Sequence, residues 1–237
     1  MDIDDLLKGF VEDPNYQMDS KEREAEAARR IEAARRMEQT KLIEHEFIAA
    51  WQSRGWAKIE FARDLMKCKR KLSSEEVEFV LEWLPKISNE RGSQEALVRA
   101  LVLAAKPFDG RVLMELFDDP ESSFQLKWAI GNTIDSTKVL NVVEWLKSKF
   151  QSLSLGKEKE MLVCALGKYL DTEEAREYLV NVFDDYPLHA ADALVKIGGR
   201  SDLDFIVNKL ASYKGPGKAV IKKSMKKLEK KLLKNGL

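Results

Sequence analysis

The sequence predicts an all-α protein built from stacked pairs of helices, an α-solenoid. Its 237 residues include only six prolines and show no strong alternation of polar and apolar residues. A short apolar motif recurs four times, at spacings of 29, 36 and 28 residues, within the period of stacked helical pairs. A break and a second apolar helix pattern follow each copy. The copies are Ala100-Leu101, Ala129-Ile130-Gly131, Ala165-Leu166-Gly167 and Ala193-Leu194.

Composition narrows the classes of protein to which this chain can belong. Charged residues make up 34% of it, yet the formal net charge is zero, so no global field attracts nucleic acid or an acidic membrane. The acidic start at Met1-Asp2-Ile3 lacks the order of a signal peptide, and no apolar run approaches the roughly 18 residues of a membrane span. Cys68 and Cys164 lie far apart without metal-ligand spacing, as in a reducing compartment. We therefore expect a soluble, cytoplasmic protein.

Three segments are predicted along the chain. Residues 1–18 form an acidic tail, which is either loosely packed or a docking peptide that lays Leu6 and Phe10 on a groove. Residues 19–90 form an N-terminal helical region with a long charged helix. Residues 91–237 form the repeat domain, which ends in a basic capping helix.

The long helix is predicted over residues 21–54, after a capping box formed by Asp19 and Glu22. Its first half is rich in Ala, Glu and Arg, and its ion pairs at four-residue spacing add a few tenths of a kcal/mol each. That half should be solvated on most sides, or else project as an arm for a partner. Phe47 and Trp51 mark the second half as the end that packs.

A second amphipathic helix is predicted after Gly55, ending at the basic run over residues 67–71. Such a run is typical of a helix C-terminus, where cations interact favourably with the helix dipole, although it could also bind a phosphate. Ser73 and Glu76 then form a second capping box, which predicts a helix over residues 73–84.

The repeat domain is predicted to hold four regular helix pairs. Neither helix of a pair can bury its apolar face alone, so stacking makes one continuous core. Asp, Ser and Thr in the turns between paired helices suit the N-cap position. The predicted first helices are Gln94–Ala105, Ser123–Ile134, Lys157–Leu170 and Leu188–Ile197, and their partners are Gly110–Asp118, Ser136–Lys149, Thr172–Asp184 and Ser201–Ser212.

The stretch over residues 191–203 carries the form Ala-Leu-x-x-Ile-Gly, then Asp, then a second apolar helix. This pattern resembles HEAT repeats, and the resemblance covers roughly residues 90–237. It implies a right-handed α-solenoid of about four to five HEAT-like helix pairs, preceded by the long N-terminal helix. Proteins of this kind are mostly protein-binding scaffolds, while a few act on DNA or attach chromophores.

The sequence offers no catalytic constellation, and we expect neither a cofactor nor a metal. His45 and His189 are the only histidines, and neither has a second ligand at metal spacing. The acid pairs at residues 118–119 and 184–185 could suggest a cation site but are typical of solvated helix ends. A DNA glycosylase-like or lyase-like activity of a HEAT relative is the remaining enzymatic alternative.

Two tryptophans depart from the repeat. Trp128 aligns with Arg99, Cys164 and Asp192, and exposed tryptophan is a typical interface anchor, although Trp128 could instead pack on a neighbouring repeat. In many solenoids the second helices line a concave face, and the outward positions here are mostly acidic. We therefore predict a scaffold, adaptor or inhibitor that binds another protein, and a basic segment of that partner would suit these acids. The predicted partner-binding residues are Trp128, Trp145, Glu115, Asp118, Glu144, Glu177, Asn181 and Asp184.

The last helix is predicted over residues 218–234, with an apolar stripe at Ile221, Met225, Leu228 and Leu232. It is either a terminal cap with its lysines in water or an electrostatic patch for an acidic protein, an anionic membrane surface or nucleic acid. Nucleic-acid binding through this helix is the alternative function. The basic residues in question are Lys218, Lys222, Lys223, Lys226, Lys227, Lys230 and Lys231.

Overall fold

A computed structural model describes residues 20–87, 92–151 and 156–234. The chain divides into two compact units, Met1–Leu42 and Ile43–Leu237. The predicted acidic tail over residues 1–18 lies outside the described residues, as does Asp19 of the first capping box. The predicted domain boundary at residues 90 and 91 stays a prediction.

Helix α1 spans Ser20–Gln52 and confirms the long charged helix. In the first unit its side chains are largely in water, including the apolar ones: Ile31 is 44% exposed and Met37 48%. An ion pair four residues apart joins Arg36 to Glu32 at 3.1 Å. Because this half has hardly any apolar stripe, helix propensity and local ion pairs hold it, as predicted.

The chain after α1 departs from the prediction. Only residues Ala62–Lys67 form helical turns before the basic run, and these turns are a 3-10 helix. Side chains of α1 form hydrogen bonds to backbone carbonyl groups that would be bonded within the helix if this segment were α-helical. The indole of Trp51 donates to Ala57 O and the amide of Gln52 donates to Ile59 O, each at 2.8 Å. The predicted amphipathic α-helix is therefore wrong, because tertiary hydrogen bonds satisfy this backbone in an extended form.

An aromatic cluster holds the start of the second unit. Phe47 and Trp51 of α1 are fully buried. The ring centroid of Trp51 lies 4.5 Å from that of Trp56, and the centroid of Phe47 lies 5.5 Å from that of Phe79. The packing end of α1 was predicted from this spacing and is confirmed. Tilted and edge-on aromatic pairs of this kind add to the stabilisation from buried area.

Helix α2 spans Ser74–Trp83, and the predicted capping box at its start is confirmed. Ser73 N donates to Glu76 Oε2 at 2.8 Å, and Glu76 N donates to Ser73 Oγ at 3.2 Å. Arg70 of the basic run adds a hydrogen bond to the same carboxylate, Nη1 to Oε2 at 2.7 Å. Part of the run therefore serves the N-terminus of the next helix rather than the C-terminus of the previous one.

The helix pairs occupy the rest of the second unit. We call α3, α5, α7 and α9 the first helices and α4, α6, α8 and α10 the second helices. Each first helix packs against the next one along the chain; the 3-10 helix Ala62–Lys67 precedes α3 in this series and α11 follows α9. The bounds are α3 Ser93–Ala100, α4 Arg111–Asp118, α5 Phe124–Ser136, α6 Val143–Gln151, α7 Glu160–Tyr169, α8 Thr172–Asn181, α9 Pro187–Ile197, α10 Arg200–Ser212 and α11 Lys218–Lys234.

The repeated motif lies where the first helices approach one another most closely. A Cβ on Gly131 would stand 2.9 Å from Met161 Cβ and 3.3 Å from Leu162 N, so α5 and α7 are nearly in backbone contact. A Cβ on Gly167 would stand 3.3 Å from Ala193 O of α9. The alanines and leucines of the motif are fully buried beside these glycines. The motif is therefore a packing element, and glycine is required by the close approach of neighbouring backbones.

The second helix of the second pair begins later than predicted. Residues 136–149 were expected to be helical, but α6 starts only at Val143. Two short strands precede it, β1 Phe108–Asp109 and β2 Val139–Leu140, which pair in parallel. Asn141 then adopts a positive φ of 62°, which turns the chain into α6. The hydrogen bonds between β1 and β2, which lie in two inter-helix linkers, use the backbone of residues 139–140, so the helix cannot include these residues.

Lysines of α7 and α11 cap the C-terminal ends of α5 and α9, the first helices that precede them in the stack. Lys168 Nζ donates to Ile134 O at 2.9 Å and to Asp135 O at 2.7 Å, at the end of α5. Lys231 of α11 donates to Lys196 O at 2.9 Å, at the end of α9. Carbonyls at a helix C-terminus have no partner within the helix, so cations at these points stabilise the stack.

The predicted apolar stripe of α11 faces the protein. Ile221, Leu228 and Leu232 are buried and Met225 is half-buried, against α9 and α10. The prediction that the apolar stripe of α11 packs on the last helix pair is confirmed. The stripe fixes the rotation of the helix and therefore fixes which lysines face outward.

Candidate protein-binding surface

The second helices present most of the predicted partner-binding residues to solvent. Glu115, Glu144, Glu177 and Asn181 are exposed, and the Glu144 side chain retains 88% of its full exposure. They stand on α4, α6 and α8. Their predicted role as an acidic binding face stays a prediction.

Trp145 has a second role that the repeat alignment did not indicate. Its indole Nε1 donates to Asp118 Oδ2 at 2.9 Å, and its ring lies edge-on to Phe117, with ring centroids 5.3 Å apart. Lys149 Nζ lies 5.4 Å from the centre of the same indole. The half-buried Trp145 thus joins α6 to α4, and its polar group is already satisfied within the chain.

Ion pairs join each second helix to the next, so several acids are partly neutralised. The acids at residues 118–119 and 184–185 are all exposed, as solvated helix ends should be. All four pairs reduce the acidic character of the face. Those with a carboxylate in water contribute little stability, whereas the Asp202 carboxylate is buried and depends on Arg176. The pairs are Asp118–Lys149, Lys147–Glu174, Arg176–Asp202 and Asp184–Lys209.

A different surface gathers large apolar side chains on consecutive elements of the stack. Phe61 precedes the 3-10 helix and Met66 lies in its last turn, and these residues are 39% and 41% exposed. Phe124, at the start of α5, is 46% exposed, and Trp128 one turn later is half-buried. Arg99 of α3 stands between the two groups. We call Phe61, Met66, Arg99, Phe124 and Trp128 the aromatic surface.

Arg99 connects the two halves of the aromatic surface. Its guanidinium carbon lies 5.3 Å from the centre of the Trp128 indole, a cation–π distance. Its Nε donates to Glu95 Oε1 at 2.8 Å, which holds the side chain along α3. Trp128 and Phe124 are four residues apart and therefore neighbours on one face of α5. These contacts order the side chains of Arg99 and Trp128 before any partner binds.

A hollow of about 220 Å³ lies beside these residues. Phe61, Met66, Glu95 and Arg99 line it, together with Arg63. The Arg63 guanidinium lies 4.7 Å from the centre of the Phe61 ring, and among the described residues no carboxylate forms an ion pair with it. The hollow therefore combines the apolar side chains of Phe61 and Met66 with cations and carboxylates, since Glu44 also lines it, and Arg63 is a cation of this lining that forms no ion pair among the described residues.

Of the five residues, only Trp128 was predicted as a site residue from the sequence. Phe61 and Met66 belong to the segment whose helix prediction was wrong, and Phe124 occupies the first position of a helix. Up to 67 positions separate them along the chain, and only the packing of α3 against both neighbours brings them together. The sequence does contain one indication of Phe61, Met66 and Phe124: they are large apolar residues at helix starts and in irregular segments, positions that seldom contribute to a hydrophobic core.

The basic residues of α11 divide into two groups. Lys222, Lys223, Lys226, Lys227 and Lys230 are exposed, as predicted, whereas Lys218 and Lys231 are half-buried. Lys231 is occupied with carbonyl groups at the end of α9.

Cys164 is buried and His189 is half-buried, and both are suited to packing. Burial raises the pKa of the Cys164 thiol to about 12, and burial lowers the pKa of His189. A thiol with such a pKa carries almost no thiolate at neutral pH and is a poor nucleophile. Within residues 20–87, 92–151 and 156–234, no group of three or more His, Cys, Asp or Glu side chains could hold a metal ion.

None of the described helices combines the length and apolar character needed to cross a bilayer. No protein-family model matches the chain, and no curated protein or solved structure matches it either. The aromatic surface and the charged faces described above are therefore the features that indicate a function.

Proposed function

We propose that this chain is a non-enzymatic protein-interaction scaffold, a HEAT-like right-handed solenoid whose aromatic surface binds another protein. The repeated Ala-Leu and Ala-Ile-Gly motif and the successive packing of first helices support the architecture. The five successive packing contacts from the 3-10 helix to α11 support a stack of the four to five helix pairs that the sequence implies. Stacked helix pairs offer extended surfaces, and binding is the usual use of such surfaces.

The composition of the aromatic surface carries the proposal. The core of a protein interface is enriched in Trp, Phe, Met and Arg relative to the rest of a surface, and binding energy concentrates on such residues. Single exposed apolar residues are normal, but here three exposed ones and the half-buried Trp128 stand on successive elements of the stack around one arginine. Pre-ordered side chains also lose less entropy when a partner binds.

The chemistry of the surface also favours one kind of partner. Apolar walls and the cation of Arg63 suit an apolar helix or peptide that carries a carboxylate at its edge. A partner with a basic segment would instead suit Glu115, Glu144 and Glu177 on the second helices. The two surfaces lie on different elements, so substitutions distinguish them.

The test compares two variants of the whole chain in affinity capture from the native cell. Phe124→Ser with Trp128→Ala should lose the specific partner, whereas Glu144→Gln with Glu177→Gln should keep it. With the captured partner purified, the aromatic variant should weaken binding about 30-fold or more, the effect of a hot spot worth about 2 kcal/mol. Equal thermal midpoints would establish that folding is intact.

The reverse result would contradict this assignment of the surface. If the glutamine variant loses the partner and the aromatic variant binds it normally, the second helices form the binding face. If neither variant changes binding of any captured protein, neither face is the docking site.

A further inference from the structure

The outward side of α11 carries a concentration of positive charge that the packing of the protein does not use. Its buried stripe, Ile221, Leu228 and Leu232, is fixed against α9 and α10. The rotation of the helix is therefore set, and the lysines on the other side all point to solvent. We call Lys222, Lys223, Lys226, Lys230 and Lys234 the basic face.

The charges of the basic face are not paired with carboxylates, although the exposed Glu229 lies one turn after Lys226. Among the described residues, no carboxylate forms an ion pair with any of its five lysines. The other lysines of α11 are used differently: Lys227 lies 3.8 Å from Asp192, and Lys231 donates to carbonyls at the end of α9. Glu229 is the one acid in the helix. Five like charges kept within one face lower stability by repulsion, so packing alone does not account for them.

We propose that the basic face binds the phosphate backbone of double-stranded nucleic acid. From Lys222 to Lys234 the helix rises about 18 Å, at about 1.5 Å per residue. One strand of a duplex presents a phosphate about every 3.4 Å of its axis, which gives about five phosphates over that length. The number of free lysines therefore matches the charge of one strand along the helix.

The composition of the face selects the duplex over other polyanions. It holds no aromatic residue on which an unpaired base could stack, and no arginine with the fork geometry that reads base edges. Binding should be independent of sequence. An anionic bilayer is disfavoured because the apolar stripe of α11 is buried against α9 and α10. The exposed Val220 and Leu233 are two separate side chains, too few to form a face that inserts into a bilayer. This surface is separate from the aromatic surface and does not depend on it.

The experiment measures fluorescence anisotropy of a labelled 20-base-pair duplex with the full chain at 50 to 200 mM salt. Five phosphate contacts predict a slope of log affinity against log salt of about −4.5, a loss of about 500-fold over this range. Lys222→Gln with Lys226→Gln and Lys230→Gln should reduce the slope to about −1.8. The matched control is Lys69→Gln with Lys106→Gln and Lys138→Gln, three exposed lysines of the inter-helix linkers, and it should leave the slope unchanged.

Three outcomes would overturn the proposal. One is absence of duplex binding at 50 mM salt. Another is an equal reduction of the slope by both triple variants, which would mean that net charge rather than the basic face is responsible. The third is binding to vesicles rich in phosphatidylserine without binding to the duplex. Far-UV circular dichroism of both variants excludes loss of folding as the cause.

Discussion

Gly131 and Gly167 show how single residues set the spacing of the stack. Each lies in a first helix, where glycine costs about 1 kcal/mol relative to alanine. The compensation is the close approach of α5 to α7 and of α7 to α9, which a Cβ would prevent. The sequence indicated that these positions are special, because the motif repeats. It did not indicate why, since a repeated glycine could also have ended a helix.

A methyl group at residue 131 should therefore destabilise the fold. Gly131→Ala places a Cβ 2.9 Å from Met161 Cβ and 3.3 Å from the backbone nitrogen of Leu162. Overpacking of this kind costs about 1 to 3 kcal/mol, more than alanine gains in helix propensity. Chemical denaturation followed by circular dichroism measures the free energy of unfolding.

Gly199→Ala is the matched control for this prediction. The nearest atom to its added Cβ is 3.9 Å away, an ordinary contact, and Gly199 does not have a positive φ. Gly199 is the N-cap of α10, where alanine is less favourable than glycine, but no steric cost is added, so the variant should lose only about 0.5 kcal/mol or less. Equal stability of the Gly131 variant and the parent would mean that α5 and α7 separate freely at this point.

The start of α2 shows how far a pattern can predict an element. Ser73 and Glu76 were expected to cap the helix, and both hydrogen bonds of the capping box are present. The contribution of Arg70 was not foreseen, because six residues in an irregular chain give no fixed distance between two side chains. The Glu76 side chain is 2% exposed, so its charge depends on these partners.

This capping box should make stability depend on pH in the acid range. Burial alone would raise the pKa of Glu76, but hydrogen bonds from Arg70 and Ser73 lower it below its ordinary value. A lowered folded pKa stabilises the protein above the ordinary glutamate value of about 4.5, and this stabilisation is lost as pH falls below it. Arg70→Gln should lower the free energy of unfolding at pH 7 by about 1.5 to 3 kcal/mol and flatten its decline below pH 4.5. Urea titrations at several pH values measure both.

The comparison variant is Lys86→Gln, which removes the partner of the exposed Glu82. It should change neither the stability at pH 7 nor its acid dependence appreciably, since both side chains are in water. If the two variants behave alike, the Arg70 pair contributes no more than a surface ion pair.

Across the second unit, the parts that could be predicted are those that repeat. The first helices and the buried stripe of α11 agree with their patterns because each follows from helical periodicity and burial alone. The 3-10 helix at Ala62–Lys67 and the pairing of β1 with β2 escaped prediction because each depends on hydrogen bonds to distant residues. The aromatic surface escaped for the same reason. Trp128 could be predicted because it differs from the residues at the same position of the other repeats. Phe61 and Phe124 do not stand out in this alignment.

In a stack where each first helix packs on its neighbours, a destabilising substitution should unfold only the helices near it. Leu228 of α11 and Leu97 of α3 are both fully buried, at opposite ends of the series. Either substitution by alanine removes the same side chain and costs about 2 to 5 kcal/mol. If each element is stabilised only by its neighbours, Leu228→Ala should speed amide exchange mainly in α9 to α11, and Leu97→Ala mainly in the 3-10 helix, α3 and α5. Hydrogen exchange with mass spectrometry measures both patterns, and the same exchange profile in the two variants would mean that the helices unfold as one unit.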